Sequence, residues 1–179
     1  MRTVQPIRDK HLIEAMREML KENDRNCFLF TLGINTGLRI SDLLRLQVRD
    51  VKNKSHIIIK EKKTQKIKRL KINETLKISI NLYIQSMTDE SYLFKSFRGT
   101  KPIGRVQAWK ILNDAAKKVG LSEIGTHTLR KTFGYHFYQK NKDVALLQEI
   151  FNHSSPSITL RYIGINQDLM DEAIDNFSL

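Results

Sequence analysis

Residues Cys27 to Asn35 read CFLFTLGIN, a run that is apolar almost all the way round a helix. A helix without a polar face has to lie inside a domain, so the remaining elements must be arranged around it. Its limits are legible: Asn23 and Asp24 supply an opening cap, and Thr36-Gly37 supplies the break. The periodicity on either side is mostly helical. Asp9 caps a helix with Leu12, Ile13, Met16, Met19 and Leu20 on one stripe, and Asn73 opens another with Leu76, Ile80, Tyr83 and Ile84 facing inward. Arg105 to Val119 forms a third, stopped by Gly120, with Trp109 expected in the core beside Val106, Ile111 and Leu112. Only His56 to Lys60 and Lys68 to Ile72 read as strands, and Tyr92 to Phe94 is a short buried segment. The expected fold class is therefore mainly α with a small antiparallel β-sheet (α+β), in a single domain over residues 1–179.

Lys and Arg number 31 against 19 Asp and Glu, a net charge of +12, and the sequence pI is near 9.9. Such a surplus favours a polyanionic partner, of which nucleic acid is the commonest. The charge is concentrated between the two strands. Lys60, Lys62, Lys63, Lys66, Lys68, Arg69 and Lys71 stand there against one acid, Glu61. A lysine-rich hairpin resists edge-to-edge aggregation. Laid over DNA it also supplies phosphate contacts, which makes Lys60, Lys62, Lys66, Lys68 and Arg69 candidate DNA-binding residues.

The single cysteine, Cys27, allows no internal disulfide and suits a reducing compartment. No apolar run approaches the ~20 residues of a membrane span, and no signal-peptide pattern opens the chain. A cytoplasmic protein without membrane partners is expected. There is no Gly-x-x-x-x-Gly-Lys phosphate loop, no metal-ligand spacing among the His and Cys residues, and no carboxylate cluster, so neither a metal nor another cofactor is expected.

The chemistry-bearing residues cluster late in the chain. His127 and Arg130 are three apart, so on a helix they share a face and can be aimed together at one anion. His153 follows the apolar helical pattern Val144 to Phe151, and Ser155-Pro156 starts a further helix with Ser as cap and Pro at its first position. Tyr162 then lies about two turns in, over Ile158 and Leu160, and Gly164 ends the helix. Far upstream, Arg39 sits in a tight connection between Leu38 and Ile40, where a buried guanidinium needs an anion to meet it. Asp42 is the nearest structural partner by spacing. Taken singly, each piece is commonplace: a solvated His-x-x-Arg face, a histidine finishing a helix, a core tyrosine.

Together, Arg39 in Thr-Gly-Leu-Arg-Ile-Ser-Asp-Leu, Lys63 in the lysine hairpin, His127 and Arg130 in His-Thr-Leu-Arg-Lys-Thr-Phe, His153 in Asn-His-Ser-Ser-Pro, and Tyr162 in Leu-Arg-Tyr-Ile resemble the catalytic domain of the tyrosine recombinases, the phage integrase family. The resemblance runs from about Thr3 to about Phe177. One departure is Asn152, where the family more often has Gly; Asn also tolerates the left-handed conformation of a helix end. The resemblance implies the tyrosine recombinase catalytic-domain fold and site-specific DNA recombination without metal or ATP. Tyr162 would be the nucleophile, forming a covalent 3′-phosphotyrosine and freeing a 5′ hydroxyl. Arg39 and Arg130 would hold the phosphate, and His127 would move a proton. His153 would bond a phosphate oxygen or the tyrosine region. Lys63 would protonate the leaving oxygen, with Lys62 and Lys66 as alternatives. Asp42 would support the site by orienting a catalytic side chain.

Two other outcomes remain open on sequence: relaxation of DNA in the manner of a type IB topoisomerase, and DNA binding without catalysis. Most members of the family carry a separate helical domain in front, and no such N-terminal core-binding domain is expected here. The chain is then either a fragment or a short recombinase consisting of the catalytic domain alone. The segment 167–177 reads as an acidic amphipathic helix, suited to docking on its own domain or on a second protomer of a homo-oligomer, a tetramer on double-stranded DNA.

Overall fold

The computed structural model describes residues 4–122, 124–165, 171 and 174–177. The element order is α1 (Lys10–Leu20), α2 (Asp24–Thr36), α3 (Ile40–Leu43), a 3-10 turn (Val48–Asp50), β1 (His56–Lys60), β2 (Ile67–Lys71), α4 (Glu74–Ile84), α5 (Arg105–Lys118), α6 (Thr128–Asn141), α7 (Val144–Phe151) and α8 (Pro156–Ile163). The fold is mostly helical with one two-stranded antiparallel sheet, in which Ile58 faces Arg69 and Lys60 faces Ile67.

Local chemistry fixes most boundaries. Side chains of Asp9, Asn23, Asn73, Asp143 and Ser155 each accept a backbone N–H of the helix they open. Gly37, Asn152 and Gly164 close α2, α7 and α8 in the left-handed conformation. Helix α2 lies at the centre, with Phe28, Leu29, Phe30 and Leu32 buried. Two glycines bring it close to α6. A Cβ on Gly33 would stand 2.5 Å from Leu129 Cδ1, and one on Gly37 2.4 Å from Phe133 Cδ1. The main core gathers α1 to α5 and the start of α6. A second, smaller apolar cluster forms from Leu147, Phe151, Ile163 and Ile165, with Phe133, Tyr135 and Phe137 of α6 packed against it.

Three packing expectations are corrected. Trp109 is 45% exposed and Val106 80% exposed; α5 buries the small-residue stripe Ala108, Leu112, Ala115 and Ala116 instead, which lets it pack closely and turns the indole outward. In α8 the buried residues are Thr159 and Ile163, whereas Ile158 is exposed. The pattern Ser41 to Gln47 reads as a helix capped by Ser41, but α3 starts at Ile40, with Arg39 in the N-cap position and no capping side chain. Most of the expected acidic helix over 167–177 (residues 167–170 and 172–173) lies outside the described residues. No helix among the described residues is long and apolar enough to cross a membrane.

Candidate active site

The left-handed turn at Gly37 and the extended backbone of Arg39 send the Arg39 side chain off the end of α2 and the start of α3. Its Nη1 lies 2.7 Å from Glu61 Oε1, an ion pair with a fully buried carboxylate at the end of β1. Asp42 is not its partner. Asp42 is buried, and its Oδ1 accepts the backbone N–H of Lys62 at 2.8 Å. Asp42 thus holds the main chain beside Lys63, where it is expected to orient a side chain. Lys63 itself is exposed in the turn between the strands.

Arg130 is 2% exposed and bridges two helix ends. Its Nη1 donates to Gly37 O at 2.6 Å and its Nη2 to Phe151 O at 2.8 Å, the C-terminal carbonyls of α2 and α7. Helix C-termini carry partial negative charge, so a guanidinium is well placed between them. It also lies 4.1 Å from the centroid of the Phe151 ring. Burial pulls its pKa down to about 10, which still leaves it charged at neutral pH. Of its five N–H donors, two groups serve this bridge, and Tyr162 is a further hydrogen-bond partner.

His127 occupies the N-cap position of α6, one turn ahead of Arg130. Its Nδ1 is 3.3 Å from the Tyr162 hydroxyl. Burial and the neighbouring Arg130, Arg105, Lys131 and Arg39 lower the His127 pKa, so the ring is neutral and able to take a proton. Tyr162 moves the other way: burial raises its pKa more than Arg130 and Arg39 depress it. The phenol is therefore protonated at neutral pH, beside a neutral imidazole. His153 sits edge-on to Tyr162 with ring centroids 5.2 Å apart, and its Nδ1 is 3.0 Å from Thr159 Oγ1. Burial, Arg130, Arg39 and Lys68 together bring the His153 pKa to about 4. Lys131 Nζ lies over the Tyr162 ring, 5.1 Å from its centroid.

The structure thus brings Arg39, His127, Arg130, His153 and Tyr162 to one place, and Lys63 lies in the exposed turn of the hairpin that Glu61 ties to Arg39. Lys60, Lys62, Lys66 and Arg69 stand on the solvent side of that hairpin. Lys68 does not. It is 6% exposed, donates to Ile150 O, and lies 3.7 Å from Glu61 Oε1. Burial and Arg130 lower its pKa to about 8. It belongs to the floor of the site rather than to a solvent-facing phosphate grip, because β2 turns it inward opposite Ile59. Two residues of the site escaped sequence reasoning, Glu61 and Lys131. Glu61 left a signal, as the one acid within the lysine run. Among the described residues no group of His, Cys, Asp and Glu is arranged to hold a metal ion.

The sequence profile of the phage integrase family matches residues 6–168. The probable integrase/recombinase YoeC of Bacillus subtilis is 57% identical over 169 residues, covering 94% of this chain and 93% of that protein. The tyrosine recombinase XerA of Pyrococcus furiosus is 29% identical over 174 residues, covering 95% of this chain but 59% of XerA. A crystal structure of XerA recombinase superposes with a TM-score of 0.77 at 22% identity, over 98% of this chain and 66% of that one, which shows the shared fold. From the profile match over most of its length and the identity to YoeC, the chain belongs to the phage integrase family.

Proposed function

We propose that this chain cuts and rejoins double-stranded DNA at specific sites through a covalent 3′-phosphotyrosine on Tyr162, as a site-specific recombinase. The observation that carries the reading is the convergence of Tyr162 on α8 with His127 and Arg130 at the start of α6, with the phenol 3.3 Å from a neutral imidazole. Making a free phenolate at neutral pH costs about 4 kcal/mol for an unperturbed tyrosine, and burial adds to that. The proton therefore leaves for His127 as the phenol oxygen bonds to phosphorus.

Arg39 and Arg130 hold the non-bridging oxygens and stabilise the charge of the five-coordinate transition state. His153 steadies a phosphate oxygen or the tyrosine. As the P–O5′ bond breaks, Lys63 donates a proton to the departing oxygen. Asp42 supports this step by fixing the backbone at Lys62. Lys60, Lys62, Lys66 and Arg69 contact flanking phosphates. The phosphotyrosine conserves the energy of the broken ester, so rejoining to another strand needs neither metal nor ATP. Strand exchange between sites calls for several protomers, and a tetramer on DNA, joined through 167–177, fits that chemistry.

Incubating the protein with a library of nicked duplexes, from which the cut fragment diffuses away, tests the proposal. The expected result is a denaturant-stable protein–DNA adduct, absent in Tyr162→Phe, whose attached sequences report the target site. An adduct that persists in Tyr162→Phe overturns the assignment of the nucleophile.

A further inference from the structure

The end of α7 makes three consecutive side-chain links. Ile150 O accepts from Lys68 Nζ, Phe151 O accepts from Arg130 Nη2, and the Asn152 side chain donates from Nδ2 to Glu61 Oε2 at 3.2 Å. Two of the three lead to Glu61, through Lys68 and through Asn152. Glu61 is fully buried, and its Oε2 also accepts from Thr64 Oγ1 in the hairpin turn at 2.7 Å. Its Oε1 faces Arg39 Nη1 at 2.7 Å and Lys68 Nζ at 3.7 Å. The turn itself is a closed unit, with Glu61 N donating to Lys66 O and Gln65 N donating to Glu61 O, both at 2.9 Å. The turn is fastened at two adjacent residues, by Glu61 and by the bond from Lys62 N to Asp42 Oδ1, so its placement follows theirs.

We infer that Glu61, held by Asn152, is a positioning residue for DNA cleavage: it sets the Arg39 guanidinium and the lysine turn relative to the α7 end that carries Phe151 and His153. The charges support this. Arg39, Arg130 and Lys68 would otherwise crowd three positive groups into one buried space, and the single carboxylate leaves two in excess. Two positive charges match the phosphodiester plus the charge that the tyrosine oxygen brings in the transition state. Asn152 has a second use here beyond tolerating its φ of 51°. Its amide ties the carboxylate down, which Gly at that position cannot do.

The inference rests on the proposed phosphotyrosine chemistry. Its test is a double-mutant cycle on the full chain, read as the single-turnover rate of adduct formation at saturating nicked duplex, with the Kd for DNA measured separately. Asn152→Gly fits the left-handed backbone and removes only the side-chain tether; it should slow cleavage about 5- to 10-fold with Kd changed less than about 3-fold. Glu61→Ala, which removes the acceptor altogether, should slow cleavage about 10²-fold. Adding Asn152→Gly to Glu61→Ala should change the rate less than about 2-fold, because the tether then has nothing to hold. If Glu61→Ala fails to fold, the Asn152→Gly rate alone decides. Unchanged cleavage in Asn152→Gly, or independent multiplicative losses in the double variant, overturns the inference while the recombinase reading stands. No adduct from the wild-type chain overturns both.

Discussion

Replacing Arg130 by Lys should damage the fold as well as the reaction, although the charge is kept. The guanidinium spans Gly37 O and Phe151 O with bonds of 2.6 and 2.8 Å, and it is 2% exposed. A bond from a charged donor to a buried carbonyl contributes about 1.5–3 kcal/mol. An ammonium is a point donor and cannot bridge both carbonyls, so Arg130→Lys loses at least one bond and about 1.5–3 kcal/mol. It also retains the desolvation cost that pulls the arginine to about 10, a cost of about 3 kcal/mol at about 1.4 kcal/mol per tenfold.

Arg130→Met loses both bonds, about 3–6 kcal/mol, but recovers that desolvation, for a net loss of about 0–3 kcal/mol. Met should therefore be no more destabilising than Lys. Urea unfolding would measure both, and a thermal midpoint lowered by about 3–12 °C in the Lys variant is the corresponding expectation. Adduct formation should fall about 10²- to 10³-fold in each. A Lys variant within about 0.5 kcal/mol of wild type, yet inactive, would refute the bridge and leave Arg130 a phosphate ligand alone.

Gly37→Ala places a Cβ 2.4 Å from Phe133 Cδ1 at a φ of +60°, so calorimetry should show a loss of at least about 1–3 kcal/mol, with slower cleavage because Gly37 O seats Arg130. Lys63→Ala should abolish cleavage of an ordinary phosphodiester but cut a substrate with a sulfur leaving group at near wild-type rate, since a thiolate departs without a proton; Lys62→Ala and Lys66→Ala should show no such selective rescue. Folded His153 titrates at about 4 against 6.5 for a free histidine. Between those values the unfolded chain binds more protons, so stability is full above pH 6.5 and falls as pH drops toward 4. Urea midpoints measured across that window should show a shallower decline in His153→Gln.

The caps at Asp9, Asn23, Asn73 and Ser155 were legible because a cap depends only on neighbours in sequence. The outward turn of Trp109 was not. A helix with two candidate apolar faces is settled by how closely its neighbours approach, and the stripe of Ala108, Ala115 and Ala116 won that contest. The same division runs through the site. Spacing put His127 and Arg130 on one face, and the family resemblance implied that Arg39, His153 and Tyr162 join them. The ion pair between Arg39 and Glu61 joins residues 22 positions apart, and Lys68 reaches Ile150 over 82. Periodicity carries no information about links of that length. Lys68 read as one more solvated lysine because strand orientation, which composition does not give, decides whether a charge faces water or the interior.

The apolar cluster beneath Tyr162 has few members of its own, Leu147, Phe151, Ile163 and Ile165, and it meets the main core chiefly along α6. The end of α7 is tied to Lys68, Arg130 and Glu61, so it is α8, packed on α6 and α7, that can open at a fraction of the free energy that melts the whole domain. On the proposed chemistry, Tyr162 can thus be withdrawn and returned while the helices that hold Arg39 and Arg130 stay folded. Timing of the cut then requires only that something lean on α8, at an energy well below that of unfolding.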